Sequence, residues 1–433
     1  MTFYDSTMES TIPPQRSALR CLSPESLAGL QLTKLNQMLG EILPHNAFYA
    51  EKFSGWNLPL NSLEELSQLP FTFKDELIGK HESGDLANNR TYGVEQYVRF
   101  HRTSGTRGRP MVVLDTASDW QWWIDAWQYV LDAAEIDAGD RCFFAFSFGP
   151  FVGFWSAFDA TTARGCLAIP SGGLSTVGRL ELIQHSQATA VFCTPTYALH
   201  MAEVAQQNHI HLAELGVQRL VLAGEPGGSI PEIRNRIETA WNAKVIDHSG
   251  ATEIGPWGFS NEQQTGVYVN EAFFLPEFIS LDTGTPAGEG ELSELIITSL
   301  GRNGSPVIRY RTGDLVRPRW NTASPCNFVL LEGGVLGRTD DMLIIRGVNV
   351  FPTSIEQILR GFPEVVEYRL TAVKRGEMDA ISIEVEDRKQ DPHRIAHELN
   401  LRLGLKVEVQ LAEAGTLPRF EGKGRRFVDA RKG

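Results

Sequence analysis

Cysteine is scarce in this sequence: five residues, Cys21, Cys142, Cys166, Cys193 and Cys326, scattered through 433 positions without a CxxC pair. That pattern excludes a disulfide framework and a structural zinc motif, and it predicts a reducing compartment. No apolar run is long enough to span a bilayer, so no membrane partner is expected. The opening MTFYDSTMESTIPPQR lacks the basic and apolar segments of a secretory signal, and the expectation is a cytoplasmic protein. Positive charge is also in deficit, 40 Lys and Arg against 53 Asp and Glu, for a net −13. Such a balance argues against a nucleic-acid surface and makes the few basic clusters informative, notably Arg107 with Arg109 and the final GKGRRFVDARKG. Internal repeats and low-complexity tracts are absent.

What is present is enough apolar material, 42% of 433 residues, for more than one core. A helix is predicted from Pro24 with Ser23 as N-cap and Ala28, Leu32, Leu35, Leu39 and Ile42 on one face. The segment DWQWWIDAWQYVLDAAEI reads as a second helix whose stripe of Trp120, Trp123, Ile124, Trp127 and Leu131 is assigned to the core. Short apolar runs then alternate with helical patterns from RCFFAFSF to KVIDHSG, which predicts parallel βαβ units covered on both faces. Ligands bind such sheets beyond the carboxyl ends of the strands. The loops expected there are FGPFVG, IPSGG, TPTY, AGEPGG and HSGATE. After about Ala251 short strands with Gly/Pro turns take over, and beyond Gly337 a small unit of strands and helices follows. The fold class is therefore α/β: a large N-terminal domain, residues 1–337, and a small α+β C-terminal domain, residues 338–433.

One stretch, HRTSGTRGRP at 101–110, can hardly be helix or strand. Glycine lets backbone approach a ligand, and hydroxyls and guanidiniums add donors, so it describes a phosphate cradle. It describes a surface turn equally well.

Seven stretches in fixed order carry more information: TSGTRGRP, AGEP, SGATE, YRTGD, GRTDD, RGVNVFPTSIE and LPRFEGKGRR. Together they resemble the adenylate-forming superfamily of acyl-CoA synthetases and peptide-synthetase adenylation domains. The phrases PFTFKDEL, TPTYALHMAE and GRTDDMLIIRGVNVFPTSIE are similar to the phenylacetate-CoA ligase family, from about Leu69 to Arg431. The resemblance implies ATP-dependent activation of a small-molecule carboxylic acid through an acyl-adenylate, then transfer to coenzyme A. The alternatives are a carrier protein or amine as acceptor, or a nucleotide-binding protein that has lost turnover.

Residue by residue, the resemblance implies that Ser104, Gly105, Thr106, Arg107 and Gly108 hold phosphates, with Arg107 and Arg109 standing where the family has Thr and Lys. Gly224, Glu225 and Pro226, with Asp247, His248, Ser249 and Gly250, would border the nucleotide. Thr252 would contact the α-phosphate and Glu253 would hold Mg²⁺. Asp314 would accept the ribose hydroxyls beside Arg338. Asp340 matches a hinge about which a mobile small domain presents either Lys423 for adenylation or Arg346 and Gly347 for coenzyme A. Taken singly, Glu253 also reads as a solvated carboxylate, Asp314 as a turn cap, Arg338 as a partner of Asp340 and Lys423 as part of a basic tail.

Three further expectations come from side chains. Phe148, Phe151 and Trp155, with Ala223, Gly224, His248 and a loop-borne Trp257, form a candidate wall for a flat acyl ring. His393 and His397 stand one helical turn apart but read as a solvated face. Some relatives carry a Cys/His zinc cluster; Tyr268 stands at its histidine and only Cys326 remains of its later cysteines, so no zinc is expected. A monomer or homodimer is expected.

Overall fold

The computed structural model describes residues 13–79, 86–103, 110–153, 155–320, 326–341, 343–345, 348–375, 378–405, 407–420 and 426–431. Ser104, Gly105, Thr106, Arg107, Gly108, Arg109, Arg346, Gly347 and Lys423 lie outside the described residues.

The alternation in the sequence becomes five adjacent parallel strands, in spatial order Leu167–Pro170, Arg141–Phe144, Ala190–Cys193, Arg219–Leu222 and Lys244–Ala251. Helices Trp155–Ala163, Thr176–Ser186, Pro195–Gln207 and Pro231–Trp241 connect them. The sheet continues antiparallel through Gly255–Ser260, Gly266–Val269, Leu330–Glu332 and Pro318–Arg319. Because strand side chains alternate in direction, each parallel strand feeds two cores. Phe144, Phe192, Val221 and Ile246 enter one, while Phe143, Val191, Leu222 and Val245 enter the other. Each such burial contributes about 1.5–3 kcal/mol relative to exposure, so a one-residue slip in register would be prohibitive.

A second, antiparallel sheet orders Phe274–Ser280, Ser293–Ser299, Tyr310–Val316 and Gly337–Arg338. Helix Pro24–Ile42 packs near it, its N-cap Ser23 accepting from the Ser26 N–H at 3.2 Å. The inward face of that helix differs from the expected one. Leu27, Gln31, Leu35, Met38, Leu39 and Ile42 are buried, whereas Ala28 and Leu32 are half-buried. A polar residue takes an inward position because the Gln31 amide donates to the Glu271 and Phe274 carbonyls at 3.1 and 3.4 Å. In helix Ala117–Ala133, Trp120, Trp123, Trp127 and Leu131 are core as expected, and Trp122 is buried too.

The residues from Leu343 onward have their own core, including Ile355, Leu359, Leu370, Ile383, Ile395 and Leu399. Its sheet orders Glu408–Leu411, Met378–Asp387, Val365–Arg375 and Phe427–Asp429, with helices Pro352–Arg360 and Pro392–Leu403. The last strand was not expected. Phe427 pairs with Leu370 in parallel register, and three residues are too few to reveal a period. His393 and His397 are exposed. Among the described residues no helix is long and apolar enough to cross a membrane.

Candidate active site

Register along the parallel sheet brings the predicted loops side by side. Cys193 pairs with Leu222 and Leu222 with Asp247, so Thr194, Ala223 and His248 leave adjacent strands at the same edge. Gly224 turns the second of these loops with φ +93°, a conformation L side chains rarely adopt. Glu225 then reaches back: its Oε1 accepts from the Thr196 N–H at 2.7 Å at the start of helix Pro195–Gln207. AGEP is thus locked to a helix N-terminus, where a carboxylate is favoured.

Asp247 and His248 are both buried. Burial pushes the Asp247 carboxyl up to about 6, against the opposing Ser229 hydroxyl, which donates to Oδ2 at 2.5 Å. Burial likewise pushes His248 down to about 4, and the ring is neutral at physiological pH. Its Nδ1 lies 2.7 Å from the Gly258 carbonyl oxygen, so Nδ1 carries the proton and Nε2 the lone pair.

Glu253 is the centre of a cluster assembled from three distant segments. Oε1 accepts from the Tyr310 hydroxyl at 2.9 Å and from the Lys74 ammonium at 3.2 Å, and both side-chain donors use that one oxygen. Burial would raise this carboxyl, but Lys74, a backbone N–H and Tyr310 outweigh it and hold the group below the ordinary carboxylate range. An ionised carboxylate whose side-chain donors both engage Oε1 fits a hard cation such as Mg²⁺. The backbone is anchored as well: Arg302 Nη1 donates to the Glu253 carbonyl at 2.8 Å while Nε donates to Asp115 Oδ1 at 2.8 Å. Neither Lys74 nor Tyr310 was singled out from the sequence. Both stand inside the phrases PFTFKDEL and YRTGD, which was the available signal.

Tyr310 and Thr312 are both buried along strand Tyr310–Val316, and beyond Thr312 the register against Ser293–Ser299 shifts. Burial, then Glu253, push the Tyr310 hydroxyl up, and Asp314 is near enough for its charge to add to this. Asp314 lies opposite Arg338 in register, and Arg338 Nη1 donates to Asp314 Oδ1 at 2.8 Å. The same guanidinium donates through Nη2 to the Thr312 carbonyl at 3.1 Å and through Nε to Asp340 Oδ1 at 3.1 Å. The strand must bend at Gly313, φ +76°, where a Cβ would meet Arg338 Nη2 at 2.9 Å. Arg338 therefore contacts both the ribose candidate and the hinge candidate, and Thr339–Asp341 leaves the sheet as a single 3₁₀ turn.

The hairpin Tyr97–Arg102 with Val112–Thr116 leads into the 104–109 segment from both sides. The Thr103 N–H donates to the Met111 carbonyl at 2.9 Å and the Met111 N–H returns to Thr103 Oγ1 at 3.0 Å. The Arg102 N–H donates to the Pro150 carbonyl at 2.8 Å, tying the hairpin end to the FGPFVG loop.

In that loop Phe148 sits 4.6 Å from Trp155, ring centre to ring centre and edge to face, and 4.5 Å from Phe146. The Trp155 Nε1–H donates to the Gly149 carbonyl at 3.0 Å. Phe151 is exposed, and Ala223 and Trp155 are half-buried. Trp257 departs from expectation. It lies in strand Gly255–Ser260 rather than a loop and is 1% exposed within the large core, because the chain after Glu253 turns straight back into the sheet. Ser249 pairs with Gly258 in that return, and Thr252 is half-buried.

Residues 347–431 match the family model described as the AMP-binding enzyme C-terminal domain. Among curated proteins, the phenylacetate-coenzyme A ligase of Pseudomonas putida is 31% identical over 100% of this chain and 99% of its own length. That of Thermus thermophilus is 32% identical over 96% of this chain and 99% of its own. Among solved structures, 2-hydroxyisobutyryl-CoA ligase in the postadenylation state with 2-HIB-AMP matches with a TM-score of 0.89 at 25% identity, over 96% of this chain and 92% of that one. The same ligase in the thioesterification state with 2-HIB-AMP and CoA gives 0.71 at 26% identity, over 97% and 92%.

Proposed function

This chain belongs to the phenylacetate-CoA ligase family of AMP-forming acid–CoA ligases, and from that premise we propose that it activates an aromatic or arylacetic acid. The carboxylate attacks the α-phosphate of ATP, giving acyl-AMP and pyrophosphate. The thiol of coenzyme A then attacks the acyl carbon, and AMP leaves.

The observation that carries this reading is the cluster of Glu253, Lys74 and Tyr310 at the carboxyl edge of the parallel sheet, with Asp314 further along the same strand as Tyr310. Mg²⁺, when bound, offsets the charge of the phosphates as two anions are brought together. Glu253 would hold that ion, while Lys74 and Tyr310 fix the carboxylate so that little reorganisation is needed. Asp314 accepts the ribose hydroxyls and Arg338 orients it. Lys423 and the 104–108 loop, assigned from their motifs, supply cationic and backbone donors to the phosphates. Thr252 takes the α-phosphate, and Ser249, Gly250 and Gly224 border adenine.

Phe148 and Trp155, with Ala223, are proposed to border the acyl ring, which would join the aromatic cluster that Phe148 already forms with Phe146, Phe158 and Trp155. Burying a ring rather than a methyl group is worth roughly 1.5–3 kcal/mol, enough for at least tenfold discrimination. The domain boundary is proposed at Arg338 to Asp341, with Asp340 as hinge and Arg346 and Gly347 serving thioester formation. The higher TM-score to the postadenylation state than to the thioesterification state supports an alternation of this kind. No zinc belongs to the proposal, since Tyr268 occupies the core with its ring 5.8 Å from Phe259.

The test is pyrophosphate release across a panel of carboxylic acids, with and without coenzyme A. Fastest release with a benzoate or arylacetate, and a thioester product, is expected. Faster release with acetate or palmitate overturns the acyl assignment. Adenylate without a thioester redirects the acceptor to a carrier protein or amine, and no release with any acid leaves a nucleotide-binding protein.

A further inference from the structure

Away from the site just described, a cavity of about 970 Å³ opens between the two domains. One wall is helix Pro195–Gln207 with the face of helix Pro231–Trp241, and the other belongs to the C-terminal domain. Five arginines line it: Arg236 from the large domain and Arg360, Arg388, Arg419 and Arg426 from the small one. The only lining carboxylates among the described residues are Glu203 and Glu367, and His200, His209 and His211 complete the titratable set.

Most of these charges are matched. Arg426 is bonded to Glu367 through Nε and Nη2 at 2.5 and 2.9 Å. Arg419 is held by Glu386 at 2.8 Å and approaches Glu203 at 3.5 Å. Arg360 pairs with Glu356 at 3.6 Å. Two remain. Among the described residues, neither Arg236 nor Arg388 has a side-chain hydrogen bond or ion pair, and Arg236 Nη1 is buried without a partner. Burial, then the neighbouring Arg360 and Arg388, push the Arg236 guanidinium down to about 10, with Glu367 pulling the other way. A buried guanidinium nitrogen facing two like charges across a domain interface is unfavourable in isolation. Oxyanions satisfy it well, because the planar fork of each arginine matches two oxygens.

We propose that this cavity is a binding site for a phosphate group, held between Arg236 of the large domain and Arg388 and Arg360 of the small one. The volume is several times that of the group itself, and the apolar wall around Leu199, Ile210 and Phe420 accommodates the body of an organic phosphate. Because the donors come from both domains, the bound group holds the two in the orientation seen here. Its arginines are not among the residues assigned to ATP, although Thr196, held by Glu225, is part of its lining, and the site does not depend on which acid the enzyme activates.

The test is calorimetric titration of the full chain with orthophosphate, pyrophosphate and phenyl phosphate, alongside Arg236→Gln and Arg388→Gln. Wild type is expected to bind at least one phosphate probe in a class that each variant weakens tenfold or more, while the KM for ATP changes less than twofold. Arg236→Lys, which keeps charge but loses the fork, is expected to recover part of the affinity. Tighter binding of phenyl phosphate than of orthophosphate identifies an organic phosphate; equal binding identifies the free ion. Titrations that are the same in wild type and both variants overturn the proposal, as does a parallel loss of ATP affinity. If Arg236→Gln does not fold, the exposed Arg388 gives the same reading.

Discussion

Arg426 joins the two domains: its Nη1 donates to Thr196 Oγ1 at 3.0 Å while Nε and Nη2 hold Glu367, and all three residues are buried. Thr196 is also the residue whose N–H is capped by Glu225 of AGEP, so the small domain touches the nucleotide-binding framework directly.

Thr196→Val removes that interdomain bond while keeping shape and the backbone N–H. A hydrogen bond to a charged group is worth about 1.5–3 kcal/mol, so acid-dependent ATP–pyrophosphate exchange is expected to fall about tenfold. Thioester formation from supplied acyl-AMP is expected to change less than twofold. Equal losses in both half-reactions would mean that the contact is not specific to the adenylating arrangement.

Lys423→Ala is expected to abolish adenylate formation and to leave thioester formation from supplied acyl-AMP largely intact, since the lysine is assigned to the first half-reaction alone. Single-turnover measurements of each half-reaction decide it; comparable loss in both removes the assignment.

Tyr310→Phe deletes one of the two side-chain donors to Glu253 Oε1 without leaving a polar group behind. The expected outcome is a raised Mg²⁺ requirement and an adenylation rate down by about tenfold, with Glu253→Gln losing a hundredfold or more. A Tyr310→Phe enzyme with an unchanged Mg²⁺ titration would detach the tyrosine from the metal site.

The neighbours Asp247 and His248 shift in opposite directions, to about 6 and about 4. Between pH 4 and 6 the folded state holds a proton on Asp247 that the unfolded chain has released, so this group's stabilisation is lost as pH rises. Over the same range unfolded His248 is protonated and the folded ring is not, so its contribution to stability increases with pH. The two largely cancel in the wild type. Asp247→Asn removes one of them, and its stability relative to wild type is expected to increase by on the order of 2 kcal/mol from pH 4 to 6. Urea unfolding at pH 4, 5 and 6 measures it, and a difference that does not vary with pH contradicts the assigned shifts.

Much of the architecture was legible in the sequence because its signals are local. The alternation of Phe143 with Phe144, or Val191 with Phe192, declares a strand buried on both faces within a few residues. Collinear motifs likewise marked Glu253, Asp314 and Arg338. The partners of those residues were not legible. Lys74 and Tyr310 lie 179 and 57 positions from Glu253, Arg302 lies 187 from Asp115, and Arg426 lies 230 from Thr196. No periodic pattern links residues so far apart; the register of separate strands and the docking of one domain on the other do. The same holds for Gln31 turning inward and Trp257 entering the core, since each follows from what packs against it. Hydrophobic period and motif order thus determined strands, helices and family from the chain alone. Which charges meet, which stay ionised and which are left unpaired in the interdomain cavity was decided only in three dimensions, because Coulomb energy depends on distance and burial rather than on sequence separation.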